Sequence, residues 1–299
     1  MSNGPLPALN VPGLLKKYGL RPSKKLGQNF LQDEQALRKI AEIAAIQEQD
    51  TLLEIGPGLG GLTRHLALAA HQVVAVELDE NLFPALQAVI APYTNVRLIH
   101  ADILKLRPAD LVAAPDYLVV ANIPYYITSA LLRHLLAKSP EGAQSPQGAQ
   151  SPQGAQSPRP RRLVLTVQEE VAERICAEAG DMSLLALSVQ VYGRAWIAAR
   201  IPAGAFFPAP SVNSAVVSID IYPEPLIPYS LLEAFFRLAK AGFGQKRKTL
   251  RNALSAIMPR EKAEQILLAT GIAPQRRAET LSLIEWGKLS NQFSVTSHQ

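Results

Sequence analysis

Short apolar runs alternate with amphipathic stretches between residues 51 and 221 of the chain. Apolar runs of about four to eight residues are typical of buried strands, whereas apolar residues spaced three and four apart are typical of helices. Strands that alternate with helices favour a mostly parallel α/β sheet with right-handed crossovers. The pattern predicts strands over residues 51–55, 73–76, 96–100, 116–121, 163–167, 195–201 and 214–221, the last two as a hairpin at one edge.

The C-terminal part of the chain has a different pattern. Pro223, Pro225 and Pro228 interrupt the chain, and we predict a domain boundary here because proline breaks regular structure. We expect an α/β domain over residues 1–226 and a helical domain over residues 227–299. The helical periodicity of the second domain covers residues 231–241, 247–257, 260–269 and 279–289.

One segment of the first domain is a low-complexity repeat. From Ser139 to Pro158 the hexapeptide Ser-Pro-Glu/Gln-Gly-Ala-Gln occurs in three tandem copies, followed by a further Ser-Pro. It contains no β-branched and no large apolar residue, so it cannot contribute to a core and is predicted to be disordered. We interpret residues 139–160 as an insertion into a surface connection, without a catalytic role.

Composition narrows the class of protein further. The single cysteine, Cys176, excludes an intrachain disulfide and a thiolate metal cage, and the five histidines lack the spacing of metal ligands. We therefore expect no metal. The N-terminus lacks a basic segment followed by an apolar one, and no apolar run is long enough to span a membrane, so a cytoplasmic protein is expected.

Positive charge is concentrated at the C-terminal end of the chain. The net charge is +5; residues 227–299 contribute +6, from eleven Lys and Arg against five Glu, and the other 226 residues contribute −1. Such an asymmetry is typical of a protein that docks a polyanion. A solvated helical surface rich in lysine and arginine is the alternative interpretation.

A glycine-rich loop follows the first predicted strand of the sheet. Gly56, Gly58 and Gly61 match the G-x-G-x-x-G pattern of dinucleotide-binding proteins. With Gly60 in place of Gly61, the loop equally matches the G-x-G-x-G pattern of enzymes that use S-adenosylmethionine (SAM). Both ligands need glycine so that the backbone can approach a nucleoside, and Glu77 would bind the ribose of either. A purely structural turn is the alternative.

Three acidic residues distinguish the two ligands. Glu54, Glu77 and Asp102 lie at the carboxyl ends of predicted strands, and these ends meet around the ligand in an open α/β sheet. Their negative charge would repel a pyrophosphate and attract the sulfonium and ammonium groups of SAM. Asp102 can also accept a hydrogen bond from an adenine amino group. SAM is therefore the predicted cofactor.

A polar and aromatic motif, Asn122-Ile123-Pro124-Tyr125-Tyr126, follows the fourth predicted strand. The amino group of adenine is a poor nucleophile because its lone pair is delocalised into the ring. The side-chain oxygen of Asn122 or the carbonyl of Ile123 can accept the amino hydrogens and aim the lone pair at a methyl donor. Tyr125 and Phe206 are predicted to clamp an extruded base by stacking. A proline turn beside a core tyrosine is the alternative.

Taken together, these motifs resemble one known family. The matching segments run from about Lys24 to Leu254 and are similar to the ribosomal RNA adenine dimethyltransferase family, most of all to its small-subunit (16S) branch. They are Lys25–Leu31, Glu54–Gly58, Glu77–Asp79, Asn122–Tyr125, Val167–Arg174, Phe206–Pro210 and Gln245–Asn252.

The resemblance implies a Rossmann-like class I SAM-dependent methyltransferase domain with a seven-stranded, mostly parallel sheet and a small all-helical C-terminal domain. It implies N6,N6-dimethylation of two adjacent adenosines in the terminal hairpin of 16S ribosomal RNA during ribosome biogenesis, and we expect a monomer. The implied catalytic residues are Asn122, Tyr125 and Phe206. The implied cofactor residues are Asn29, Leu31, Gly56, Gly58, Glu77, Asp102 and Asn122. The predicted RNA contacts are Lys24, Lys25, Lys246, Arg247, Lys248 and Arg251, the last four at the start of a helix.

Three other functions stay open at this point. A large-subunit adenine methyltransferase of the macrolide-resistance type has similar motifs, although the Gln245–Asn252 segment and the long helical region favour the small-subunit enzyme. An RNA-binding ribosome assembly factor with incidental methylation would have the same surfaces. An NAD oxidoreductase would need a hydride-transfer acid, and the sequence has no candidate for it in the right place.

Overall fold

The structure, a computed structural model, describes residues 6–112, 114–123, 127–136 and 159–297. The predictions for Tyr125 and for the repeat at 139–158 lie outside the described residues. None of the helices in this part of the chain is long and apolar enough to cross a membrane.

The described residues form nine strands, and seven of them make up one sheet. In chain order the strands of the structure are β1 (Phe30–Leu31), β2 (Thr51–Ile55), β3 (Gln72–Glu77), β4 (Val96–His100), β5 (Tyr117–Asn122), β6 (Pro160–Gln168), β7 (Gly193–Ile201), β8 (Phe206–Phe207) and β9 (Ser214–Ile221). The order in the sheet is β4-β3-β2-β5-β6-β9-β7. In this order, the strands from β4 to β6 are parallel to one another, and β9 is antiparallel to β6. The predicted fold class is confirmed, and the two strands of the predicted hairpin, β7 and β9, are neighbours at one end of the sheet, with β7 at its edge.

The position of each strand in the sheet explains its apolar pattern. Central parallel strands are covered on both faces and are therefore apolar throughout. In β2, Leu52 and Leu53 are completely buried, as are Val119 and Val120 in β5. The edge strand β4 is only partly buried, and it carries charged and polar residues among its apolar ones.

Helices connect and cover these strands. They are α1 (Val11–Lys17), α2 (Glu34–Ala44), α3 (Gly61–Ala69), α4 (Phe83–Ile90), α5 (Pro108–Leu111), α6 (Thr128–Leu136), α7 (Glu169–Ile175), α8 (Leu184–Gln190), α9 (Tyr229–Phe243), α10 (Leu250–Leu254), α11 (Arg260–Ala269) and α12 (Leu283–Ser297). The predicted N-cap of α2 is present, because the Asp33 carboxylate accepts from the Ala36 N–H at 2.8 Å. The buried face of α2, with Leu37 and Ile40, packs in one core with Leu66 of α3 and Val120 of the sheet.

A two-stranded ribbon joins the segment around Phe30 to the segment around Phe206. Strands β1 and β8 pair antiparallel, with Phe30 opposite Phe207 and Leu31 opposite Phe206. The backbone N–H of Gln32 then donates to the Ala205 carbonyl at 2.9 Å. Two-residue strands are too short to produce a periodicity, so this pairing was missed in the sequence. It ties the segment that contains Lys24 and Lys25 to the segment that contains Phe206 and Phe207.

The chain divides into two compact units that differ from the expected domains. One unit contains Met1–Glu169 and Ile197–Asp220, and the other contains Glu170–Trp196 and Ile221–Gln299. The expected single boundary at residue 226/227 therefore does not describe the compact units. The physical reason is that Met182 and Leu187 are buried in one apolar core with Trp286 and other residues of the C-terminal helices, although they come earlier in the chain.

Candidate active site

A cavity of about 240 Å³ lies at the carboxyl ends of β2, β3 and β5. Glu54 and Phe206 line it, and so does every predicted cofactor residue, namely Asn29, Leu31, Gly56, Gly58, Glu77, Asp102 and Asn122. The structure therefore brings together residues that are far apart in the sequence. Of the predicted catalytic residues, Asn122 and Phe206 are at the cavity, and Tyr125 is outside the described residues.

The loop between β2 and α3 presents backbone, not side chains, to the cavity. Gly56, Gly58 and Gly60 have φ values of +72°, +58° and +83°, a region that residues with a side chain rarely adopt. A Cβ atom at Gly58 would also lie only 3.1 Å from the Phe30 ring. The three left-handed glycines have the G-x-G-x-G spacing, and Gly61 instead begins α3.

Backbone N–H groups hold the carboxylate of Glu77 in place. Its Oε2 accepts from the Gly58 N–H at 3.0 Å, and its Oε1 accepts from the N–H groups of Leu78 and Asp79, both at 2.9 Å. Burial raises the pKa of Glu77, although these three donors lower it in part. A carboxylate has about four acceptor positions, so Glu77 can still accept from a ribose hydroxyl.

Glu54 is the most deeply buried acid of the cavity. Glu54 is only 1% exposed, and its Oε2 has no hydrogen-bond partner within the described chain. Burial raises the pKa of Glu54 to about 8; the Thr63 hydroxyl lowers it in part, and the charge of Glu77 raises it further. The cavity therefore has an acceptor for a cation.

Asp102 shapes another wall of the cavity. Its Oδ1 accepts from the Leu104 N–H at 3.0 Å and thereby caps the short 3₁₀ turn Ile103–Lys105. Ile103 and Leu104 line the cavity beside it. The other oxygen, Oδ2, has a long ion pair of 3.9 Å with the exposed Lys105, which leaves it able to accept from a donor such as an adenine amino group.

The N-terminal segment covers the cavity and is fastened by two polar contacts. Gln28 Nε2 donates to Asp79 Oδ2 at 2.7 Å, and Asn122 Nδ2 donates to the Asn29 carbonyl at 3.4 Å. The contacts join Gln28 and Asn29 to the ends of β3 and β5. Gln28 and Asp79 lie in the segments that matched the family, but a pair so distant in sequence has no local signal.

The predicted RNA contacts have different surroundings. Lys24 and Lys25 are exposed in a turn, as are Lys246, Arg247 and Lys248. The prediction that the last group starts a helix was wrong, because α10 begins only at Leu250.

Arg251 differs from these exposed residues. Its Nη1 donates to both carboxylate oxygens of Glu264 on α11, at 3.1 and 3.0 Å. The arginine is therefore part of a contact within the helical unit, which the sequence pattern did not reveal.

The fold and the cavity define a class of enzyme. Left-handed glycines leave room for a nucleoside, Glu77 and Asp102 offer acceptors to a ribose and an adenine, and the unpartnered Glu54 oxygen suits a positive charge. These features fit SAM and do not suit a pyrophosphate. The chain is a class I SAM-dependent methyltransferase.

Comparisons with known proteins identify the family. The family model described as ribosomal RNA adenine dimethylase matches residues 19–294. The chain is 43% identical over 298 residues to the ribosomal RNA small subunit methyltransferase A of Dehalococcoides mccartyi, with 96% of each chain covered. It is 38% identical over 290 residues to the protein of the same name from Lysinibacillus sphaericus, with 93% of each covered. The chain therefore belongs to the ribosomal RNA adenine dimethylase family.

Solved structures agree with this assignment. The 23S rRNA methyltransferase ErmE is 26% identical, with a TM-score of 0.68, and the match covers 89% of this chain and 100% of that one. A dimethyladenosine transferase from Plasmodium falciparum has a TM-score of 0.71 at 23% identity, and the match covers 90% of this chain and 98% of that one. The second similarity shows the fold alone.

We predict that Glu54→Gln stabilises the cofactor-free protein at pH 8 but much less at pH 5. The pKa of Glu54 is raised in the folded state, so stability falls as pH rises from the unfolded pKa towards about 8. The expected loss is at most about 1.4 kcal/mol per pH unit in that window. Melting temperatures at several pH values measure it, with the exposed Glu48→Gln as the control. A Glu54→Gln effect that is constant with pH would contradict the prediction.

Proposed function

We propose that the chain transfers methyl groups from SAM to the N6 atoms of two adjacent adenosines in the 3′-terminal hairpin of small-subunit ribosomal RNA. The reaction gives N6,N6-dimethyladenosine and belongs to the maturation of the small subunit in the cytoplasm. The observation that carries the proposal is the position of Asn122. Its amide lies at the end of β5, on the same cavity as the glycine loop and the three acids. The curated relatives named for the small subunit support this choice of RNA.

The cofactor would be held by residues of the first compact unit. Glu77 would accept hydrogen bonds from the ribose, and Asp102 would accept one from the adenine amino group. Glu54 would lie beside the positive end of the ligand. Gly56 and Gly58 allow the backbone to lie against it. Asn29 and Leu31 contribute the covering wall. When bound, SAM supplies a methyl group on a cationic sulfur.

The chain's own task is to position the target adenine. Asn122 Oδ1 or the Ile123 carbonyl accepts hydrogens of the amino group, which gives the nitrogen a directed lone pair. Phe206 on β8 and Tyr125 would stack against the base. Phe206 is only 3% exposed and lies opposite Leu31, so its ring has a fixed position. Holding the reactants in this arrangement supplies most of the rate, and no strong general base is needed.

Basic residues on both compact units would contact the RNA. Lys24 and Lys25 belong to an N-terminal segment with five Lys and Arg and no acid before Asp33. Inner residues of the same segment, Leu9 and Val11 among them, line the cavity. The charged outer face would therefore hold phosphates close to the target base. The proposed RNA contacts of the other unit are Lys246, Arg247, Lys248 and Arg251, and the protein would act as a monomer.

The proposal predicts where label from SAM appears. The protein is incubated with labelled SAM and with small subunits that lack these methyl groups, and the modified nucleotides are mapped. Two adjacent dimethylated adenosines near the 3′ end are expected.

Asn122→Ala should abolish transfer, because it removes the acceptor, while SAM binding changes much less. Label in large-subunit RNA, or full activity of Asn122→Ala, would contradict the proposal.

The different surroundings of Lys248 and Arg251 predict different effects on RNA binding. Removal of one phosphate contact should reduce the salt slope of binding by about 0.7 to 0.9. We expect this for Lys248→Ala, whose side chain is exposed. Arg251→Ala should lower the melting temperature, because it leaves Glu264 without its partner, and should change the slope less. Equal slopes for Lys248→Ala and the unaltered protein would exclude Lys248 as a phosphate contact.

A further inference from the structure

Two buried hydroxyl groups in the sheet have no hydrogen-bond partner. Thr166 on β6 and Ser218 on β9 are completely buried, and their Oγ atoms are unpartnered within the described residues. A buried polar group without a partner is costly, so such groups in a native protein need an explanation. Their positions relative to the active site differ.

Thr166 is the neighbour of Asn122 in the sheet. Strands β5 and β6 are parallel, and their register places Asn122 opposite Thr166. The two backbones also meet there, since the Ile123 N–H donates to the Thr166 carbonyl at 3.2 Å. Paired residues of adjacent strands project to the same face, with Cβ atoms about 5 Å apart. A hydroxyl and a side-chain amide at that separation can reach each other.

The face that they share is dry. Val164, two residues before Thr166, lies on the same face and is buried in one core with Leu31 and Phe206. Val216, opposite Thr166 on β9, belongs to that core too. Water therefore does not compete for the Thr166 hydroxyl, and a hydrogen bond formed there is stronger than one in solvent.

Within the described part of the chain, the amide of Asn122 has an unused donor. A side-chain amide carries two N–H groups and one carbonyl oxygen. One N–H points to the Asn29 carbonyl at 3.4 Å, a long contact that fixes the amide only weakly. The second N–H is left for the strand neighbour.

We propose that Thr166 is a positioning residue for methyl transfer: its hydroxyl oxygen, which has no partner among the described residues, accepts the second N–H of Asn122 when the target adenine is held. The inference rests on the proposed function and assigns to Thr166 a role in that same site. With both N–H groups bound, at Asn29 and at Thr166, Asn122 Oδ1 is directed to the cavity, where it can accept from the adenine amino group. A rotated amide would present donors there and would repel the amino hydrogens.

The test compares variants of Thr166 in steady-state methylation of small subunits. Thr166→Val removes the hydroxyl and keeps the branched shape. Loss of one positioning hydrogen bond should lower kcat about three- to tenfold, with the KM for SAM unchanged. Thr166→Ser keeps the hydroxyl and should stay within about twofold of the unaltered protein.

Ser218→Ala is the matched control. It removes an equally buried and unpartnered hydroxyl from the same sheet, but its register partner is Val164 and not Asn122. It should leave kcat unchanged. If Ser218→Ala lowered kcat as much as Thr166→Val, the loss would be a general effect of removing a buried hydroxyl, and the proposal would be overturned.

Thr166→Cys provides a second variant if Thr166→Val does not fold. Its sulfur is a weak acceptor, so a loss of kcat is again expected. Unchanged kcat in the folded variants that lack the hydroxyl would overturn the proposal. That result would leave the methyltransferase function intact as long as the unaltered protein methylates the small subunit. If the unaltered protein does not do so, the proposed function itself fails.

Discussion

Acidic side chains are concentrated at the carboxyl ends of adjacent parallel strands, where like charges repel and burial disfavours ionisation. Glu77 is held there by three backbone N–H groups, whereas Glu54 is buried with an oxygen that lacks a partner in the described chain. Such a group is costly unless a cation arrives to compensate it. The glycine loop leaves room for a nucleoside next to these acids, so a positively charged cofactor would be favoured there over a pyrophosphate.

The remaining parts of the first compact unit would place a second molecule, the target base, against that pocket. The β1–β8 ribbon fixes Phe206 opposite Leu31, and the contacts of Gln28 and Asn29 fasten the covering segment to the strand ends. The end of β5 carries the amide that would receive an adenine. Cofactor and base are thus held by different elements, and the proposed transfer depends on how accurately those elements are joined. This is why a buried hydroxyl beside Asn122 can matter for the rate.

Local patterns predicted most of the fold and most of the cavity. Apolar runs gave the seven strands because central parallel strands are buried on both faces, and the acids could be placed because each follows such a run. The β1–β8 ribbon, the Gln28–Asp79 contact and the Arg251–Glu264 pair depend on residues distant in sequence, which no periodicity reveals. The compact units differ from the expected boundary for the same reason, since Met182 packs with Trp286.

We propose that Glu54 receives the positive end of SAM, so this buried acid should lose its proton when the cofactor binds. Calorimetric titration with SAM in buffers of different ionisation enthalpy counts the protons released. A group with a pKa of about 8 is mostly protonated at pH 7, and a nearby cation favours its charged form. We predict the release of close to one proton per SAM at pH 7, little at pH 9, and none from this group in Glu54→Gln. Equal proton counts for the unaltered protein and Glu54→Gln at pH 7 would contradict the account.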